Sequence, residues 1–152
     1  MPADRPDPLL LANQTCFALY AAQHAMTRVY RPLLEAIGLT YPQYIVMLLL
    51  WEEDGPAVKG LGERLGLDSG TLTPLLKRLE GQGLVRRTRD PVDERIVRIH
   101  LTAEGKALRE KAVCMPERIL AASGRSPAEL AALREELLRL RTALDRAAGQ
   151  TG

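Results

Sequence analysis

Cys16 and Cys114 are the two cysteines of this 152-residue chain. A thiolate attacks peroxides and disulfides, so two thiols suffice for one redox event and are too few for a disulfide framework. All four tyrosines lie between Tyr20 and Tyr44, in the same N-terminal stretch as Cys16. The places three and four residues from Cys16 hold Ala12, Asn13, Leu19 and Tyr20, none of them cationic. A thiolate at Cys16 is therefore expected to draw on hydrogen bonds, with phenols as the donors at hand. A plainer reading stays open beside it, in which a small core cysteine packs among core tyrosines. Phe17, Leu19, Met26 and Met47 would give the thiol an apolar pocket, which favours organic peroxides over hydrogen peroxide. No CxxC or HExxH spacing occurs and His24 and His100 stand alone, so neither a metal nor a cofactor is expected.

The second chemically distinctive group is basic. Between Lys77 and His100 stand seven Lys or Arg against four acids, a local +3 in a chain of net +2. Total charge does not announce a polyanionic partner, but its distribution points to one. A charge run is most often a solvated face, so the elements that carry it have to decide.

Those elements read mainly as helices. Asp7 followed by Pro8 suggests an N-cap with proline in the first turn, opening a long helix from about residue 9 toward 30. Pro32 should kink or end it and Gly38 stop the short extension. Thr40 and Gln43 have capping-box spacing before an apolar, hence buried, helix that reaches about residue 53. A short helix over 58–65 turns inward on Val58, Leu61 and Leu65. After a tight turn at Gly66, Asp68 caps a helix in which Leu72, Leu75, Leu76 and Leu79 recur at i, i+3, i+4 and i+7. That spacing leaves Ser69, Gly70, Thr71, Thr73, Lys77 and Arg78 on or near the outward face. Two short helices joined at a glycine, the second polar outside, form a helix-turn-helix.

Residues 84–89 and 95–101 then read as two strands around a turn over 90–94, a basic hairpin that follows the helix-turn-helix as a wing. Thr102 caps a helix expected to reach about Leu120 with a bend at Pro116. Ser126 and Glu129 form a second capping box. Beyond it Leu130, Leu133, Leu137, Leu140 and Leu144 alternate spacings of three and four, a seam suited to pairing with a second copy. The expected fold is mostly α with a small β wing, a single domain over 1–152. In it a winged helix-turn-helix (40–101) is flanked by N- and C-terminal dimerisation helices (9–36 and 103–148).

Several classes are excluded. No apolar run is long enough to span a bilayer, so no membrane partner is expected. The opening eight residues lack the basic-then-apolar layout of a secretory leader, which makes a cytoplasmic location the expectation. A thiol peroxidase enzyme would require alternating strands and helices with a redox βαβ unit, a pattern missing here. A purely structural coiled coil leaves the wing unexplained.

The order of helices, helix-turn-helix, basic wing and long helices resembles the MarR family over nearly the whole chain. Asp93-Glu94-Arg95 and Leu101-Thr102-Ala103-Glu104-Gly105 look like that family's wing motif. The run from Asn13 to Tyr20, the segment Leu39 to Tyr44, and the segment Leu67 to Leu79 resemble the organic hydroperoxide resistance regulators. The resemblance implies a repressor, although activators share the scaffold. It would bind a pseudo-palindromic double-stranded operator as a homodimer and release it when an organic hydroperoxide oxidises Cys16. It also implies that Tyr30 and Tyr41 hold the sensor thiol, reaching it from the other subunit. In two-cysteine members a resolving thiol sits nearer Ala121. Cys114 is thus open between a resolving role and that of a plain interface residue, with a small cellular thiol as the substitute. A MarR-type regulator answering a small aromatic or phenolic ligand, with Cys16 incidental, is the alternative.

On such a scaffold Ser69, Gly70, Thr71 and Thr73 at the start of the recognition helix suit phosphate and base-edge contacts, with the helix dipole favouring anions there. Lys77 and Arg78 suit phosphates or purine edges, and Arg87 adds charge on the first wing strand. Arg95 at the wing can enter a narrow A·T-rich minor groove, its geometry held by Asp93. Half-sites about one helical turn apart and a steep loss of affinity with salt follow.

Overall fold

The computed structural model describes residues 7–149, so most of the segment read for a secretory leader lies outside the described residues. The chain forms two compact units, one ending at Val113 and the other beginning at Cys114.

The first unit opens differently from expectation. Asp7 does cap, but only a turn: its carboxylate accepts from the Leu9 amide, and the side chains of Asn13 and Gln14 donate back to the carbonyls of Asp7, Pro8 and Leu10. These local bonds compete with helix propagation. They close a short 3₁₀ turn at Leu11–Asn13 and leave Gln14 extended at φ −91°, ψ 114°. Helix α1 (Thr15–Glu35) therefore begins six residues later than residue 9 and passes through Pro32 without ending there.

Helix α2 (Tyr41–Glu52) starts at the expected capping box, with the Thr40 hydroxyl accepting from the Gln43 amide and the Gln43 side chain accepting from the Thr40 amide. Its Val46, Met47 and Leu50 are fully buried. Helix α3 (Val58–Leu65) closes on Gly66, whose φ of 66° lies where L side chains are strained. Helix α4 (Ser69–Gly81) follows, capped by Asp68. Leu61, Leu72, Leu75, Leu76 and Leu79 complete the core, and their spacing is why α4 has one dry face and one wet one.

Strands β1 (Val85–Arg89) and β2 (Val97–Leu101) pair antiparallel, Val85 opposite Leu101 and Arg89 opposite Val97. Val85, Ile99 and Leu101 turn inward. Helix α5 (Ala103–Ala112) begins where only glycine fits: a Cβ on Gly105 would lie 2.1 Å from the Leu84 carbonyl oxygen. The Gly105 carbonyl also accepts from Trp51 Nε1 at 2.9 Å, tying α5 to α2. The bend expected at Pro116 is a full break. A proline cannot donate to the carbonyl four residues back, here Ala112, and α5 ends at that residue.

The second unit holds α6 (Met115–Ser123) and α7 (Pro127–Gly149). The second capping box is formed, Ser126 and Glu129 each accepting from the other's amide. Along α7, Leu133, Leu137 and Leu144 are exposed and no residue is buried. Among the described residues no helix is long and apolar enough to cross a membrane, and one two-stranded sheet is present.

Candidate functional site

The outward face of α4 collects most of the residues singled out for nucleic acid. Ser69, Gly70, Thr71, Lys77 and Arg78 are exposed and Thr73 is half-buried. The Asp68 carboxylate accepts from the Thr71 amide at 2.8 Å, and that bond holds its pKa below the usual carboxylate value. It stays charged at neutral pH and fixes the first turn, so the short polar side chains leave the helix in a set direction.

The wing is tied by charge. Arg95 is 90% exposed, yet its Nε and Nη2 both donate to the Asp93 carboxylate, at 3.0 and 3.1 Å, and its backbone amide adds a third bond to the same group. Asp93 is held below the usual carboxylate range chiefly by Arg95. The expected pairing of Asp93 with Arg95 is thus formed. Arg87 is half-buried on β1, with its amide donating to Glu80 at the end of α4. Two residues that sequence reading counted only as charges, Asp90 and Arg98, form a shorter pair of 2.6 Å at the wing base. Their signal was faint: an acid just after one strand and an arginine on the face of the next strand opposite to that of Ile99 and Leu101.

The thiol and the tyrosines are positioned apart. Cys16 is exposed and occupies the first turn of α1, where backbone amides lack intrahelical acceptors and the helix dipole favours negative charge. That placement follows from the late start of α1 and could not be read from the expected helix. Tyr30, Tyr41 and Tyr44 instead cluster near the corner between α1 and α2, with Tyr30 ring centroids 5.3 Å from Tyr41 and 5.7 Å from Tyr44. Burial, with smaller effects of Tyr44 and Tyr41, pushes the Tyr30 phenol up to about 12. It is a neutral donor at any physiological pH. Cys16 and Tyr30 are 14 residues apart on one helix, roughly 21 Å of axial rise, so one chain does not bring them together. Phe17, Leu19 and Met26 are exposed along α1, whereas Met47 belongs to the core and not to that face. Cys114 is exposed and precedes α6.

Known proteins similar to this chain identify its family. The family described as transcriptional regulator SarA/Rot matches residues 28–112. The organic hydroperoxide resistance transcriptional regulator of Bacillus subtilis (strain 168) is 52% identical over 134 residues, covering 88% of this chain and 91% of the relative. The chain belongs to the MarR family, in its organic hydroperoxide resistance regulator group. A second relative, the HTH-type transcriptional regulator TtmR of Methylorubrum extorquens (strain PA1), is 53% identical over 147 residues, covering 97% of this chain and 75% of its own length. Among solved structures, reduced AbfR bound to DNA matches with a TM-score of 0.72 at 39% identity, covering 88% of this chain and 93% of that one. The two curated relatives are transcriptional regulators, and the family match over 28–112 takes in the helix-turn-helix with its wing.

Proposed function

We propose that this MarR-family protein is a dimeric repressor that binds a pseudo-palindromic DNA operator and releases it when an organic hydroperoxide oxidises Cys16. The observation that carries the reading is the exposed thiol in the first turn of α1, in a chain whose helix-turn-helix and wing turn their polar residues outward. Residues 40–101 read DNA, and 9–36 with 103–148 pair two copies. Ser69, Gly70, Thr71, Thr73, Lys77 and Arg78 meet the major groove and its phosphates, Arg87 adds a backbone contact, and Arg95, held by Asp93, enters the minor groove.

Sensing is a stoichiometric reaction, not turnover. The Cys16 thiolate attacks one peroxide oxygen, the O–O bond breaks, and the alkoxide leaves and takes up a proton as the alcohol. Sulfur is oxidised by two electrons to sulfenic acid. Tyr30 and Tyr41 of the other copy donate hydrogen bonds to the thiolate. The sulfenic acid then condenses with a second thiol, an S–S bond forming as water leaves. That thiol comes from Cys114 of the other copy or from a small cellular thiol, which the mass of the oxidised protein distinguishes. The new covalent link favours a geometry that DNA cannot accommodate, and the population shifts off the operator.

The alternative of a phenolic ligand has one feature in its favour, a cleft of about 280 Å³ beside Arg31, Thr40 and Tyr41. Gel-shift binding to the fragment upstream of the protein's own gene decides between them, with cumene hydroperoxide or a phenolate added. Peroxide is expected to release wild type and not Cys16→Ser. Release of both, or by phenolate alone, overturns the sensor role.

A further inference from the structure

The wing tip has almost no packing to hold it. Val92 is 94% exposed and the Arg95 side chain 90%. A hairpin tip of that kind loses much conformational freedom when it enters a groove, and that ordering weakens binding unless it is already made in the free protein. Beneath the tip, Asp90 is a buried acid that gathers three donors. Its Oδ1 accepts from the amides of Val92 at 2.8 Å and Asp93 at 3.1 Å, and its Oδ2 accepts from Arg98 Nε at 2.6 Å. Arg98 in turn donates from Nη1 to the Gly55 carbonyl at 3.0 Å, outside the wing altogether. The backbone closes the same loop, Asp90 N donating to Ile96 O and Ile96 N to Asp93 O. Asp93, whose amide Asp90 holds, is the residue that grips Arg95 through three bonds.

From this continuous chain of bonds we infer that Asp90 and Arg98 are positioning residues for DNA recognition: they anchor the wing turn to the loop after α2 so that Asp93 presents the Arg95 guanidinium ready for the minor groove. The inference rests on the reading of Arg95 as the groove-entering residue. It is specific to the wing, since none of these bonds involves the exposed face of α4. The Asp90 carboxyl is lowered to about 2, first by Arg98 and then by the Asp93 and Val92 amides, so the anchor is fully charged under any condition in which DNA is bound.

The test uses full-length protein and the duplex that wild type selects from a random-sequence pool, alongside the same duplex with the A·T pairs under the wing changed to G·C. Arg95→Ala is expected to lose about tenfold in affinity for the selected duplex and to lose the preference for A·T under the wing. Asp90→Asn is expected to do much the same, the double variant adding little, while discrimination at base pairs under α4 is kept. Non-additivity is the readout that a merely structural role would not give. Equal loss on every duplex, or losses for Asp90→Asn and Arg95→Ala that simply multiply, overturns the inference. If Asp90→Asn does not fold, Arg98→Gln carries the same expectations and the same power to refute. Wild type that selects no sequence sinks the operator reading and this inference with it. Wild type and Arg95→Ala behaving as described, with Asp90→Asn and Arg98→Gln like wild type, sinks the inference alone.

Discussion

The reading end and the sensing end of this molecule differ in how much of each one chain contains. The helix-turn-helix and wing lie within a single compact unit, tied through Asp68 to Thr71, Glu80 to Arg87, and Asp93 to Arg95. Cys16 and Tyr30 share that unit but stand roughly 21 Å apart along α1. A reader assembled from neighbours in sequence can be rigid in isolation. On the proposed reading the thiol meets its donors only in a second copy, which would make oxidation sensitive to how two subunits sit. That is the property a switch needs.

If the two ends are separable in this way, substitutions should divide cleanly between them. The largest effect is expected from removing Lys77 and Arg78 together. Operator affinity should fall at least about a hundredfold and the slope of log K against log salt should flatten by about four, two cations being lost from each of two subunits, measured by fluorescence anisotropy. The rate at which peroxide oxidises Cys16 should not change, and a change in that rate would break the division.

Next in size is Tyr30→Phe, expected to slow Cys16 oxidation about tenfold through loss of one hydrogen bond to a charged group, with operator affinity intact. Tyr30 also offers a test by pH. A phenol raised to about 12 is held neutral by the fold, so its contribution to stability is complete below about pH 10 and is lost as pH rises from there to about 12. In an alkaline titration followed by tyrosinate absorbance, a transition near pH 12 present in wild type should be missing in Tyr30→Phe.

The smallest effect sharpens the comparison at the place where the two ends touch. Buried Gln43 donates to Gln82 at 3.1 Å, and Gln82, the residue that closes α4, donates to the Gly38 carbonyl at 2.8 Å. This amide relay joins the corner of the tyrosine cluster to the end of the recognition helix. Gln82→Ala should cost about 1 kcal/mol in urea unfolding. It should also uncouple the ends in part, leaving oxidation at its normal rate and making release of the operator less complete.

Much of the reading end was legible in the sequence because its determinants are local. The capping box at Thr40, the cap at Asp68 and the leucine spacing of α4 specify their elements within a few residues, and the structure agrees with each. The start of α1 was not legible. Asp7 and Pro8 form a genuine cap signal, but bonds from Asn13 and Gln14 back to the preceding carbonyls end that turn, a competition that propensity alone does not resolve. The break before α6 was half legible, since proline at 116 announces a disturbance without saying whether the helix bends or stops. Asp90 and Arg98 were hidden for another reason. Their significance lies in a carbonyl at Gly55, more than thirty residues earlier, which only the folded chain brings near.

The central claim, that each sensing site is shared between two copies, is tested most directly with a mixed dimer. One subunit carries Cys16→Ser, and the other carries Tyr30→Phe and Tyr41→Phe. Formed across the dimer, one site retains Cys16 with intact tyrosines, so the mixed dimer should oxidise one thiol per dimer by cumene hydroperoxide at the wild-type rate. If sites formed within each chain, neither would be intact, and oxidation no faster than in the double-Phe homodimer would contradict the account.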